Sequence, residues 1–213
     1  MKSPWGSFPL RLAGVGVFAF ALWCGALQAH AAAVNVRVTD AAGKSLPNAV
    51  VMLESTSAKL PVTPMTGVEI AQAKRQFNPQ VTVVTVGTTI AFPNHDSVRH
   101  HVYSFSPTKH FELKLYAGLP SSPVLFDKPG VAVIGCNIHD NMVAWVVVVD
   151  TPLHAKSGTG GKAQFASVPP GSYRLKVWHS SMRPGQEMSS VALSVANADV
   201  DHDVRLDVQG TEP

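Results

Sequence analysis

The chain has 213 residues, with 17 Lys and Arg against 14 Asp and Glu and a formal net charge of +3. Without Lys2 and Arg11, which precede an N-terminal apolar run, 15 basic residues face 14 acidic ones, a balance that leaves no electrostatic footprint for nucleic acid. Of the two cysteines, Cys24 lies in that run, so Cys136 stands alone in the remainder.

Lys2 and Arg11 form a positive n-region, Leu12 to Leu27 is apolar, and Ala29-His30-Ala31 is an A-x-A cleavage pattern. Residues 1–31 therefore read as a secretory signal peptide. The run is at the short end of the ~20 residues that span a bilayer. Trp23 stands before Cys24 where a lipoprotein signal wants a small residue. Cleavage after Ala31 leaves about 182 residues, enough for one large or two small domains. The expected location is the periplasm, and no later apolar run is long enough to cross a membrane. A lone thiol in an oxidising compartment is open to damage unless something occupies it.

The rest reads as all-β, with short alternating runs between turn residues. In chain order the predicted strands are Val34 to Thr39, Ala49 to Ser55, a long run from Val81 to Phe92 broken at Gly87, Val102 to Phe105, and Phe111 to Tyr116. Val131 to Ile134 and Val143 to Val149 follow, then Ala163 to Phe165, Tyr173 to Trp178, Val191 to Val195 and Val204 to Val208. Gly67 to Gln76, with Ile70 and Ala73 three apart, is the one helical candidate, of a turn or two. Lys59-Leu60-Pro61-Val62-Thr63-Pro64 and the stretch from Thr151-Pro152 to Gly161 mark boundaries around a middle block at 65–150.

That block carries the chemistry. Gly135-Cys136-Asn137-Ile138-His139-Asp140-Asn141-Met142 lies between two apolar strands and contains C-x2-H-x2-M. Thiolate and thioether are soft ligands, and with imidazole they favour copper; a blue-copper site uses two His, one Cys and a weak axial Met. The second His comes from Asn94-His95-Asp96-Ser97-Val98-Arg99-His100-His101. Side chains alternate along a strand, so either His100 or His101 faces the metal, not both. Structural zinc does not use Met. A single Cys excludes C-x-x-C-H haem attachment, and a cysteine-nucleophile hydrolase needs neither the His three residues on nor the Met beyond it. His95, His110, His154, His202 and His179 read as exposed; Met52, Met65, Met182 and Met188 as core or loop residues.

On these residues the middle block resembles the cupredoxin family, its ligand loop the short spacing of the amicyanins. There an Asn precedes the first ligand His by six residues, with Val two further on, as Asn94, His100 and Val102 do here. The resemblance assigns His100, Cys136, His139 and Met142 as the ligands of one copper ion. Phe111-Glu112-Leu113, Lys128-Pro129-Gly130 and Cys136 to Asp140 also resemble the plastocyanin-like proteins of methylamine utilisation, over about Phe77 to Asp150. It implies a cupredoxin Greek-key β-sandwich, one-electron transfer between redox partners, and docking near His139. With all four positions supplied by protein, no place is left for substrate, so a carrier rather than an enzyme is expected; a module delivering or buffering copper would share the ligands. His101 stands where amicyanins have Asn, and Ile138 where they have Pro, both changes that bear on tuning.

The flanks resemble a carboxypeptidase-regulatory-like or transthyretin-like sandwich, at Val36 to Asp40, Gly43, Leu46-Pro47-Asn48-Ala49, and Pro169-Pro170-Gly171-Ser172-Tyr173-Arg174-Leu175. The implied layout is a leader at 1–31, a small sandwich split between 32–60 and 151–213, and the cupredoxin domain at 65–150 inserted in it.

Overall fold

The computed structural model describes Met1 and residues 31–120, 122–183 and 185–208. Residues 2–30, which hold most of the expected leader and Cys24, lie outside the described residues. Those described form an all-β protein of seventeen strands.

β1 (Ala32–Thr39) shows why: Val34, Val36 and Val38 are buried, while Asn35 and Arg37 face outward, so period-two alternation gives the sheet one apolar face. It pairs antiparallel with β14 (Lys162–Val168) and parallel with β17 (Val200–Arg205). β2 (Val50–Ser55) lies in a second sheet, between β13 (His154–Lys156) and β15 (Gly171–Trp178), with β16 (Ser189–Val195) at the far edge. Strands from both flanks thus share both sheets, and their apolar faces form one core.

The intervening strands build the other unit. β6 (Val81–Thr85), β12 (Val143–Val149), β11 (Gly130–Gly135), β8 (His100–Ser106) and β9 (Lys109–Tyr116) form a five-stranded sheet in that order. β10 (Val124–Phe126), β7 (Thr88–Ala91) and β3 (Val68–Glu69) form a three-stranded sheet, and β4 (Ala71–Ala73) pairs with β5 (Gln76–Asn78). Ile90, Phe92, Phe126, Ile134, Ala144 and Val146 fill the core between them.

β12 is apolar throughout because both its faces are covered. Ala144, Val146 and Val148 join the second core, while Val147 and Val149 join the first with Val81. Val50 to Leu53 are likewise buried without alternation, and Trp145 meets Trp178 at a centroid distance of 6.3 Å.

Two sequence expectations are corrected. Gly67 to Gln76 is not helical but holds β3, β4 and the first residue of β5. Val81 to Phe92 does break at Val86-Gly87 as expected, and its two strands lie in different sheets. The last strand ends at Arg205, short of the expected Val208, because its ladder to β1 stops there.

Candidate metal centre

His100 opens β8, and Cys136 follows the last residue of β11. The loop from Cys136 to Met142 leads into β12, closed by Met142 N–H donating to the His139 carbonyl at 3.0 Å. The topology thus places β8 beside β11 and its loop. One nitrogen from each of His100 and His139 and the Cys136 Sγ all lie within 4.8 Å of one another. The two imidazoles meet edge-on, centroids 5.1 Å apart at 67°. Met142, 1% exposed, is buried in the same apolar cluster as Cys136.

Of the adjacent pair, His100 joins this group, fully buried. Its Nε2–H donates to Asp96 Oδ2 at 2.8 Å, which leaves Nδ1 as the free nitrogen, and Nδ1 has no hydrogen-bond partner. His139 Nδ1 is also buried and unpartnered. A buried polar atom left so costs about 1–3 kcal/mol. Two imidazoles, each with such a nitrogen and grouped with one thiol, and a thioether buried in the same cluster as that thiol make a donor set that suits copper. The residues present fit the ion.

Sequence reasoning passed over Asp96. Its Oδ1 accepts from Lys74 N–H at 2.6 Å and its Oδ2 from Arg75 N–H at 2.9 Å. Lys74 and Arg75 are the two-residue connection of the β4–β5 hairpin, with φ of 55° and 57°, both positive as in a type I′ turn. Burial alone would raise the Asp96 carboxyl, but hydrogen bonds from Arg75, His100 and Lys74 hold it below the usual carboxylate range. Asn94 organises the same loop: its Nδ2 donates to the Val98 and Tyr116 carbonyls, each at 2.9 Å, and its Oδ1 accepts from Asp96 N–H. The fully buried Gln72 donates to the Phe92 carbonyl and the Tyr116 hydroxyl. Burial pushes that hydroxyl up to about 12; the Cys136 charge adds to the rise and the Gln72 hydrogen bond opposes it.

His101 turns away from the group, is buried, and pairs through Nε2 with Glu112 Oε1 at 2.8 Å while stacking on Tyr103. The Tyr103 ring lies over Gly135, where a Cβ would come within 2.9 Å of it, so this position before Cys136 takes no side chain without displacing the ring. Asp140 is exposed, as are His95 and His110; His154 and His202 are half-buried. His179 is a correction: it is 7% exposed, donates from Nε2 to the Pro47 carbonyl and accepts from Ser181 N–H at Nδ1. Burial lowers its pKa, against the opposing pull of the Pro47 carbonyl.

No family model and no curated protein matches the sequence. Solved structures do show similarity. A copper-containing nitrite reductase from Thermus scotoductus SA-01 is 22% identical, covering 45% of this chain and 25% of that one, at a TM-score of 0.37. The chain thus spans a quarter of that protein. A purple cupredoxin from Nitrosopumilus maritimus is 23% identical over 38% of this chain and 99% of its own, at 0.32. Amicyanin from Paracoccus versutus is 16% identical over 46% and 97%, at 0.34. These neighbours are cupredoxins.

Proposed function

We propose that the protein is an exported, periplasmic carrier of single electrons, with one copper ion held by His100, Cys136, His139 and Met142. The carrying observation is the convergence of two imidazoles and a buried thiol, with ligand atoms within 4.8 Å of one another, each imidazole also carrying a buried, unpartnered Nδ1. Copper bound there would supply a Cu(I)/Cu(II) couple. The chain's part is to hold the ligands still: Asp96 fixes the His100 ring, and the loop from Cys136 to Met142 is pinned between β11 and β12. Phe92, Ile134 and Ala144, all fully buried, keep water from the thiol and thioether.

His139 is only partly buried, unlike His100, and is the port by which a redox partner reaches the site. Its neighbour Ile138 is 47% exposed. Four protein ligands leave no position for substrate, which supports a carrier over an enzyme. The flanks, at 32–60 and 151–213, are read as one small sandwich holding the 65–150 unit as an insertion. Among the described residues, no helix is long and apolar enough to cross a membrane.

Protein-film voltammetry of the copper-loaded chain tests the reading, repeated with a Cu(I) chelator in the cell. A reversible one-electron wave that survives the chelator supports a carrier. Loss of the wave as copper passes to the chelator would mean delivery rather than electron turnover.

A further inference from the structure

The end of the molecule around His139 has a second property, its charge. The turn that holds Asp96 presents Lys74 and Arg75 to solvent, both exposed. With Asp96, Ser97 and Val98 they line a depression of about 230 Å³. Arg99, next in the chain, is exposed as well. Both Asp96 oxygens are engaged, by the two turn N–H groups and by His100. Asp140 is the exposed carboxylate on the ligand loop. Three cations thus stand against two carboxylates, Asp96 and Asp140, of which Asp140 alone is exposed.

Apolar side chains are exposed at the same end. Val98 is 39% exposed, Ile138 47% and Leu119 73%. Leu119 follows Gly118, which is bridged to Asn94 at the start of the loop carrying Val98 and Arg99. An apolar centre with a charged rim is the anatomy of a protein interface, and complementary charge across the rim sets partner choice and encounter rate.

Resting on the carrier reading above, we propose that Lys74, Arg75 and Arg99 form a basic rim that seats a redox protein whose own docking face is acidic. A lipid surface is the poorer fit: three cations fall short of the four to eight that mark binding to anionic membranes. The turn geometry adds a consequence. Because both φ values are positive, the backbone N–H groups point inward to Asp96 while the side chains remain free for a partner.

The test uses the metal-free protein, so that it is independent of the copper assignment. Backbone amide spectra are recorded at low salt with hexacyanochromate(III), a redox-inert paramagnetic anion, and separately with hexaamminechromium(III), a cation. The anion is expected to broaden the amides of Lys74, Arg75, Ser97, Arg99 and His139, and the cation not to. The broadening is lost in the triple variant Lys74→Gln/Arg75→Gln/Arg99→Gln and retained in Lys74→Arg/Arg75→Lys/Arg99→Lys, which separates charge from any effect on the turn. Broadening centred elsewhere, or unaltered by neutralisation, overturns the proposal. So does co-sedimentation with phosphatidylglycerol vesicles that depends on the same three residues, which would assign the rim to lipid.

Discussion

His100 reaches the centre with one ring nitrogen already engaged, and Asp96 engages it. The carboxylate does two things at once: it holds the imidazole through Nε2, leaving Nδ1 without a partner, and it caps the two N–H groups of the Lys74–Arg75 turn. Removing such a partner costs roughly 10–100-fold in metal affinity. Asp96→Ala is therefore expected to weaken copper binding by about that factor, and Asp96→Asn, which keeps an acceptor, by less. Competition against a chelator of known affinity measures both, and equal affinity in all three proteins would contradict the role. The ligand loop was legible in the sequence because three donors share seven residues. Asp96 was not, because its turn donors lie about twenty residues upstream and an Asp in a polar loop reads as ordinary turn chemistry. Alternation alone could not choose between His100 and His101. Nor did anything local announce that His101 would be buried against Glu112 and Tyr103.

Strands were most legible where β-branched residues alternate or where both faces are covered. Val143 to Val149 matches β12 residue for residue. Reading failed where burial and polarity disagree. Gln72 is fully buried beside Ile70, so the inward pair Ile70 and Gln72 shows no apolar alternation, and Ile70 with Ala73 mimics a helical spacing. β17 carries outward Asp201 and Asp203, bonded to Asn35 and paired with Arg37, which hid its start at Val200. β10 and β13, three residues each, are too short for any periodicity. Between β13 and β14, Gly161 tests the register. Its φ is +70°, a Cβ there would lie 2.4 Å from the Val38 carbonyl oxygen, and its own carbonyl accepts from Val38 N–H. Gly161→Ala is expected to lower stability by about 1–3 kcal/mol, read as a lower urea midpoint at unchanged slope. An unshifted midpoint would contradict the contact.

At the scale of the whole molecule, the two cores are joined through β6 and β12. Val81, Val147 and Val149 are buried against the flanking strands, with Trp145 packed beside them. Residues 65–150 expressed alone would expose that face, and contiguous apolar patches of this kind mark aggregation in isolated fragments. The fragment is expected to aggregate or to bind a hydrophobic dye strongly, as followed by light scattering and dye fluorescence; a soluble, dye-silent monomer would show that the flanks do not complete the fold. The flanks thus have a physical task, covering the outer face of the sheet whose other face leads to the metal centre. That centre is the central claim, and the visible spectrum tests it most directly. Cu(II) is added to the purified chain beside Cys136→Ser. An intense thiolate-to-copper band at one ion per chain, absent from the variant, is the predicted result. A wild-type chain without that band, or a variant that keeps it, would contradict the site.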